Sequence, residues 1–74
     1  MDIRKISVGP DYKSGAMHYL VGQDILNNSY KIHLIKYDIS TSQYFIYIIQ
    51  RDKIVLWKSF SSNMPVSIEY NIHF

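Results

Sequence analysis

Residues 44–60 read YFIYIIQRDKIVLWKSF, and this stretch decides the fold of the chain. Two apolar runs, Tyr44–Gln50 and Ile54–Phe60, flank the short polar segment 51–53. β-Branched and aromatic side chains dominate both runs, and such side chains pack well on a pleated surface. Because the polar segment is so short, the pattern predicts two antiparallel strands joined as a hairpin.

Both predicted strands of this hairpin carry apolar side chains on two faces. In the first strand, one face holds Tyr44, Ile46 and Ile48, and the other holds Phe45, Tyr47 and Ile49. Nowhere do apolar residues recur at helical spacing over ten positions, so no helix is expected to cover the sheet. Either the sheet curls on itself or another chain covers its second face. We therefore expect a curled sheet or small barrel that self-associates or binds a protein partner.

Four further segments have the character of strands, namely Ile3–Val8, Met17–Leu26, Tyr30–Tyr37 and Val66–Phe74. Gly22 predicts a bulge or bend within the second of them, since glycine weakens a strand interior. Asn27-Asn28 predicts a two-residue turn, because asparagine tolerates positive φ. That turn would place Leu20 opposite Ile35 and His18 opposite Tyr37.

The last predicted strand alternates cleanly between apolar and polar residues. This alternation predicts that Glu69 and Asn71 face water, whereas the core face holds Val66, Ile68, Tyr70 and Ile72. We expect the four C-terminal strands to form one antiparallel meander. The chain as a whole, residues 1–74, is predicted to be a single all-β domain of five to six antiparallel strands.

Length and composition favour association with another chain. The 74 residues are 47% hydrophobic and carry a formal net charge of +2. A domain of this size buries only about 60–65% of the surface of its unfolded chain, and small domains commonly need an additional stabilising link. The sequence has no cysteine, which excludes disulfides and thiolate zinc sites.

No pattern of catalytic or metal-binding residues is found. His18 and His33 would lie ~13 Å apart along the predicted hairpin, too far to share one metal ion. The acidic residues are scattered over turns, loops and one polar strand face, so none forms an obvious acid–base pair. No serine lies in a GxSxG motif or beside a histidine expected to act as a base. The sequence therefore predicts a non-enzymatic protein without a cofactor.

The segment 9–15 lies between two glycines and lacks the spacing of a phosphate-binding loop. We expect it to be a structural loop. The alternative is that it belongs to a binding surface, because connecting loops often carry binding residues. The candidate surface residues are Asp11, Tyr12, Lys13, Tyr37 and Tyr47.

Aromatic residues near basic ones suggest nucleic-acid binding as an alternative function, since bases stack on aromatic side chains. The residues concerned are Tyr37, Tyr47 and Trp57, with Lys36, Lys58 and Arg51. The basic residues form no run longer than two, which is a thin electrostatic footprint. We expect no such aromatic platform, and we expect Trp57 to be more than half buried and packed near Ile46.

Neither a signal peptide nor a membrane span is predicted. The N-terminal charges are followed by no apolar stretch, and the longest apolar run, 44–49, falls far short of the ~20 residues that span a bilayer. We therefore expect a soluble protein.

The stretches IRKISVGPDYKSGAMHY (3–19), WKSF (57–60) and MPVSIEYNIHF (64–74) resemble small proteins of crAss-like tailed phages of Bacteroidales. The resemblance implies a phage accessory or structural protein in the cytoplasm of the infected bacterium or in the virion. It implies no activity and no site residues. A third possibility in this context is a host-takeover or anti-defence protein that sequesters a small ligand.

Overall fold

The computed structural model describes residues 2–10, 15–27 and 29–71. Within these ranges the chain forms strands and no helix, which confirms the predicted all-β class. Seven strands are present there, against the five to six predicted. They are β1 (Ile3–Val8), β2 (Met17–Leu20), β3 (Asp24–Ile25), β4 (Tyr30–Asp38), β5 (Gln43–Gln50), β6 (Lys53–Ser61) and β7 (Val66–Tyr70).

The strands form two antiparallel sheets that share one core. The smaller sheet has the order β2-β1-β7 and the larger has the order β3-β4-β5-β6. Aliphatic side chains dominate the core, because isoleucine packs well on pleated surfaces. Its buried members are Ile3, Ile6, Val8, Tyr19, Ile32, Ile35, Ile46 and Ile48.

The predicted meander of the four C-terminal strands is confirmed for β4, β5 and β6 and wrong for the last strand, because β7 pairs with β1 and not with β6. Pairing with β1 sets Val66 opposite Val8 and Ile68 opposite Ile6, so the apolar side of β7 joins the core. The face prediction holds for these two residues and for the exposed Glu69. At the strand end Tyr70 lies opposite the buried Ile3, on the predicted side, but it is 45% exposed. Asn71 is half-buried, contrary to the prediction, and Ile72 lies outside the described residues.

Gly22 marks a tight turn that divides the predicted second strand into β2 and β3. The Gln23 amide donates a 2.9 Å hydrogen bond to the Leu20 carbonyl, and Gly22 has φ +93°. A positive φ at this position suits glycine, which has no Cβ. The predicted bend is therefore confirmed, and it is sharp enough to move the chain from one sheet to the other.

This turn explains why most of the predicted register of the second strand is wrong. β2 pairs with β1, so Leu20 lies opposite Lys5 and His18 lies opposite Ser7. Only β3 pairs with β4. There Asp24 lies opposite Lys31, which is the register expected from a two-residue turn at positions 27 and 28. At the turn itself Leu26 and Asn27 have positive φ, and Asn28 lies outside the described residues.

The hairpin of β5 and β6 is confirmed. Arg51 and Asp52 both have positive φ, and Gln50 faces Lys53, as a two-residue turn requires. The register then shifts beyond the Tyr47–Leu56 pair, because the next pair is Ile46 with Lys58.

Trp57 is the extra residue at this shift, so it does not lie directly opposite Ile46, although it packs against the core cluster that contains Ile46. Its ring instead packs edge-on against Tyr19 of β2, with 5.6 Å between centroids. The prediction that Trp57 is more than half buried is confirmed. Trp57 and Tyr19 therefore join the two sheets by an aromatic contact, a geometry that adds to simple area burial.

We predict that Trp57→Ala lowers the free energy of unfolding by about 3 kcal/mol, the lower end of the range for buried aromatic residues, because Trp57 is not fully buried. Urea denaturation followed by circular dichroism measures the change. Ile39→Ala is the matched control, since Ile39 is 84% exposed and its truncation should shift stability by less than about 0.5 kcal/mol. Equal losses in the two variants would contradict the role given to Trp57.

Candidate interaction surface

The outer side of the larger sheet carries a block of nine side chains on three strands. Ile46 and Ile48 of β5 point into the core, so the alternate residues of β5 point outward. Residues directly opposite each other across strands share a face. The register gives three outward rows, which are Lys31–Ile49–Ile54, Leu34–Tyr47–Leu56 and Lys36–Phe45–Ser59. We call these nine residues the apolar face.

Six of the nine side chains of the apolar face are apolar, and they are contiguous. Leu34, Ile54 and Leu56 are 40%, 58% and 53% exposed. Phe45 and Tyr47 are half-buried by their neighbours, with 6.4 Å between ring centroids. Exposed apolar patches of more than a few hundred Å² mark interaction sites, and this smaller patch is the candidate interaction surface of the domain.

The outer side of the smaller sheet is polar by contrast. Its register gives the rows His18–Ser7–Ser67 and Leu20–Lys5–Glu69. Arg4 adds a salt bridge to Glu69, with 3.2 Å between guanidinium nitrogen and carboxylate oxygen. The two outer faces of the same domain therefore differ in character, and only the larger sheet presents an apolar one.

The charge on and beside the apolar face is basic. Its charged members are Lys31 and Lys36, and none of the nine residues is acidic. Lys31 is partly compensated by Asp24, with 3.8 Å between the charged atoms. β6 carries Lys53 and Lys58, both on the side of the sheet away from the apolar face, and no acidic residue.

The candidate surface proposed from the sequence does not form one site. Tyr47 lies at the centre of the apolar face, whereas Tyr37 lies opposite Tyr44 and thus on the other side of the sheet. Trp57 packs against the core, so Tyr37, Tyr47 and Trp57 form no shared platform, as predicted. The remaining candidates, Asp11, Tyr12 and Lys13, lie outside the described residues.

Sequence reasoning did not select Leu34, Phe45, Ile54 and Leu56 as surface residues. The two-sided pattern of 44–60 was the signal for three of them. Leu34 is harder to find, because β4 shifts register between Ile32 and Leu34, and such a shift changes which residues face outward.

One serine does lie beside a histidine, which corrects the sequence interpretation. Ser7 Oγ and His18 Nδ1 are 2.8 Å apart across β1 and β2. The predicted register places His18 opposite Tyr37, so it does not predict that His18 lies beside Ser7. A nucleophilic serine also needs an oriented base and an oxyanion site. Since both side chains lie at the exposed outer side of the smaller sheet, we interpret the contact as a cross-strand hydrogen bond.

Three tyrosines cluster at the other side of β4. The rings of Tyr37 and Tyr44 are 4.8 Å apart. Burial raises the pKa of Tyr44 above its ordinary value of 10.0, and the neighbouring Tyr70 and Tyr37 raise it further. A cleft of about 470 Å³ lies beside the cluster, lined by Asp2, Ile3, Leu34, Ile35, Lys36, Tyr37 and Tyr70. Among the described residues, no group of three metal-ligating side chains is found.

The raised pKa of Tyr44 predicts a loss of stability at alkaline pH. The folded chain holds the Tyr44 proton more tightly than the unfolded chain, so the stability from this group is complete below pH ~10 and falls as the pH rises further. We predict that Tyr44→Phe reduces the drop in urea midpoint between pH 8 and pH 11. An equal drop in the parent and in Tyr44→Phe would contradict the prediction.

Comparison of the chain with protein-family models, curated proteins and solved structures found no match. Within the described residues, no helix has the length and apolar character needed to cross a membrane.

Proposed function

We propose that this protein is a non-enzymatic interaction module whose apolar face is covered by another protein chain. The observation that supports the proposal is the contrast between the two sheets. The larger one places Leu34, Tyr47 and Leu56 in one outward row, whereas the smaller one has a polar outer side. Covering such a row removes apolar area from water at roughly 25 cal/mol per Å².

The size of the apolar face limits what it can bind alone. Three strands span ~14 Å and the five residues of β5 involved span ~17 Å, so the face covers ~240 Å² in projection. A stable interface buries ~800 Å² on each partner. Protruding side chains make the contact area larger than this projection, but even twice the projected area is less than a stable interface buries. The apolar face alone therefore supports only weak association. A tightly held partner must contact more of the domain.

Self-association through this face is opposed by charge. Two copies facing each other would bring Lys36 and its neighbours towards the same residues of the partner. Salt screens such repulsion between exposed charges and leaves apolar contact intact. Weak self-association that strengthens with salt is therefore the behaviour that this surface predicts.

Nucleic-acid binding is distinguished by the opposite salt dependence, because phosphate contacts release counterions and weaken as salt rises. The phage context implied by the sequence resemblance remains part of the proposal. In that context the module is an accessory or structural protein of the infected cell or the virion.

We predict that the protein self-associates at high micromolar concentration and more strongly at 500 mM than at 50 mM NaCl, with Leu34→Thr/Leu56→Thr weakening association about tenfold. The loss follows from the removal of apolar area at the centre of the face. Sedimentation velocity measures both effects.

Met17→Thr is the matched control, since Met17 is as exposed as Leu56 but lies on β2. It should behave like the parent. A monomer at every salt concentration, or an equal effect of Met17→Thr, would contradict the proposed role of the apolar face.

A further inference from the structure

β6 is the outermost strand of the larger sheet. Among the described residues it pairs with β5 alone. Its nine residues extend over ~30 Å at the usual rise of a strand. Within residues 2–10, 15–27 and 29–71, one edge of β6 therefore has no partner strand, and such an edge is a template for pairing with another chain.

The hairpin turn fixes which backbone groups face this edge. In a two-residue hairpin the flanking pair, Gln50 with Lys53, exchanges hydrogen bonds. Antiparallel pairs alternate, so the pairs that contain Ile54 and Leu56 are not hydrogen-bonded to β5. The backbone N–H and C=O groups of Ile54 and Leu56 consequently point outward.

The same two residues form the border of the apolar face. Ile54 and Leu56 are both more than half exposed, and the register from Lys53 to Leu56 is regular up to the shift at Trp57. A strand added here would pair with both backbones and set its own side chains beside both side chains. This supplies the additional contact that the small area of the face requires.

The charges along β6 determine which strand fits. Lys53 and Lys58 lie opposite Gln50 and Ile46, so they belong to the side of the sheet away from the apolar face. An added strand alternates between the two sides. Apolar side chains would therefore extend the apolar face, and the alternate side chains would lie beside Lys53 and Val55. Lys58 follows beyond the shift at Trp57, with its Nζ 4.9 Å from the centroid of the Trp57 ring. A second copy of β6 would bring lysines to this place, whereas an acidic strand complements it.

We infer that β6 binds an extended segment of a partner protein by strand addition over Lys53–Leu56, and that this segment alternates apolar with acidic residues. The inference rests on the proposed function and names the partner class for the same surface. Main-chain hydrogen bonds supply affinity in such complexes, and alternate side chains supply specificity.

The test uses the full chain and the peptide TEVEIEVT, with TKVKIKVT as the matched peptide of opposite charge. Hydrogen exchange followed by NMR should show slower exchange at the Ile54 and Leu56 amides with the acidic peptide. Affinity for the basic peptide should be lower by about tenfold or more. Absence of protection at these amides, or equal affinity for both peptides, would overturn the inference.

Two variants at one position separate backbone pairing from apolar contact. Ile54→Pro removes the outward N–H, and proline is tolerated at a strand edge where the N–H is not used within the sheet. Ile54→Thr loses the apolar side chain but keeps the N–H. We expect Ile54→Pro to abolish peptide binding and Ile54→Thr to weaken it by about threefold.

Because Ile54→Pro could misfold, a second measurement tests backbone pairing on the parent chain with modified peptides. N-Methylation of the peptide amides that would face β6 should abolish binding to the parent chain, whereas methylation of the amides facing away should not. Equal effects of the two methylation patterns would overturn strand addition. The proposed function would survive that result if Leu34→Thr/Leu56→Thr still weakened self-association, and would fail if that variant had no effect.

Discussion

The structure depends on a mismatch between the apolar side chains of the chain and the layers available to bury them. Ile6, Ile32 and Ile46 are fully buried between the two sheets, and this core uses one face of β5. The other face of β5 is equally apolar in sequence, yet the part of the chain that the structure describes forms two sheets and no third layer. A two-layer domain can bury only one side of each sheet, so the apolar face is a direct consequence of covering the core.

Local patterns predicted the strands well and the partition into sheets poorly. The hairpin at Arg51-Asp52 and the bend at Gly22 were predictable, because each depends on turn chemistry within a few residues. The pairing of β7 with β1 depends on contacts between residues at opposite ends of the chain. Alternation places Val66 and Ile68 on one face, but it does not say which strand lies beside them.

Register shifts explain why the candidate site was only partly predictable. A shift of one residue exchanges the two faces of a strand, and shifts occur in β1, β4 and β6. They place Leu34 outside while Ile32 and Ile35 are buried. They also turn Trp57 towards Tyr19. Tyr37 and Tyr47 lie on opposite sides of the sheet without any register shift. Tyr37 lies opposite Tyr44 across β4 and β5, and Tyr44 and Tyr47 point to opposite sides of β5 because side chains alternate along a strand.

The basic residues near the apolar face have two physical effects that act in the same direction. Exposed apolar edges invite aggregation, and lysines and bulges are common means of opposing it. β6 has both of these features, namely Lys53 and Lys58 and the bulge at Trp57. On β4, Lys36 lies next to the outward row that contains Leu34. Lysines that repel a second copy of β6 also attract a carboxylate, so in the proposed strand addition the same side chains would oppose self-pairing and favour an acidic partner.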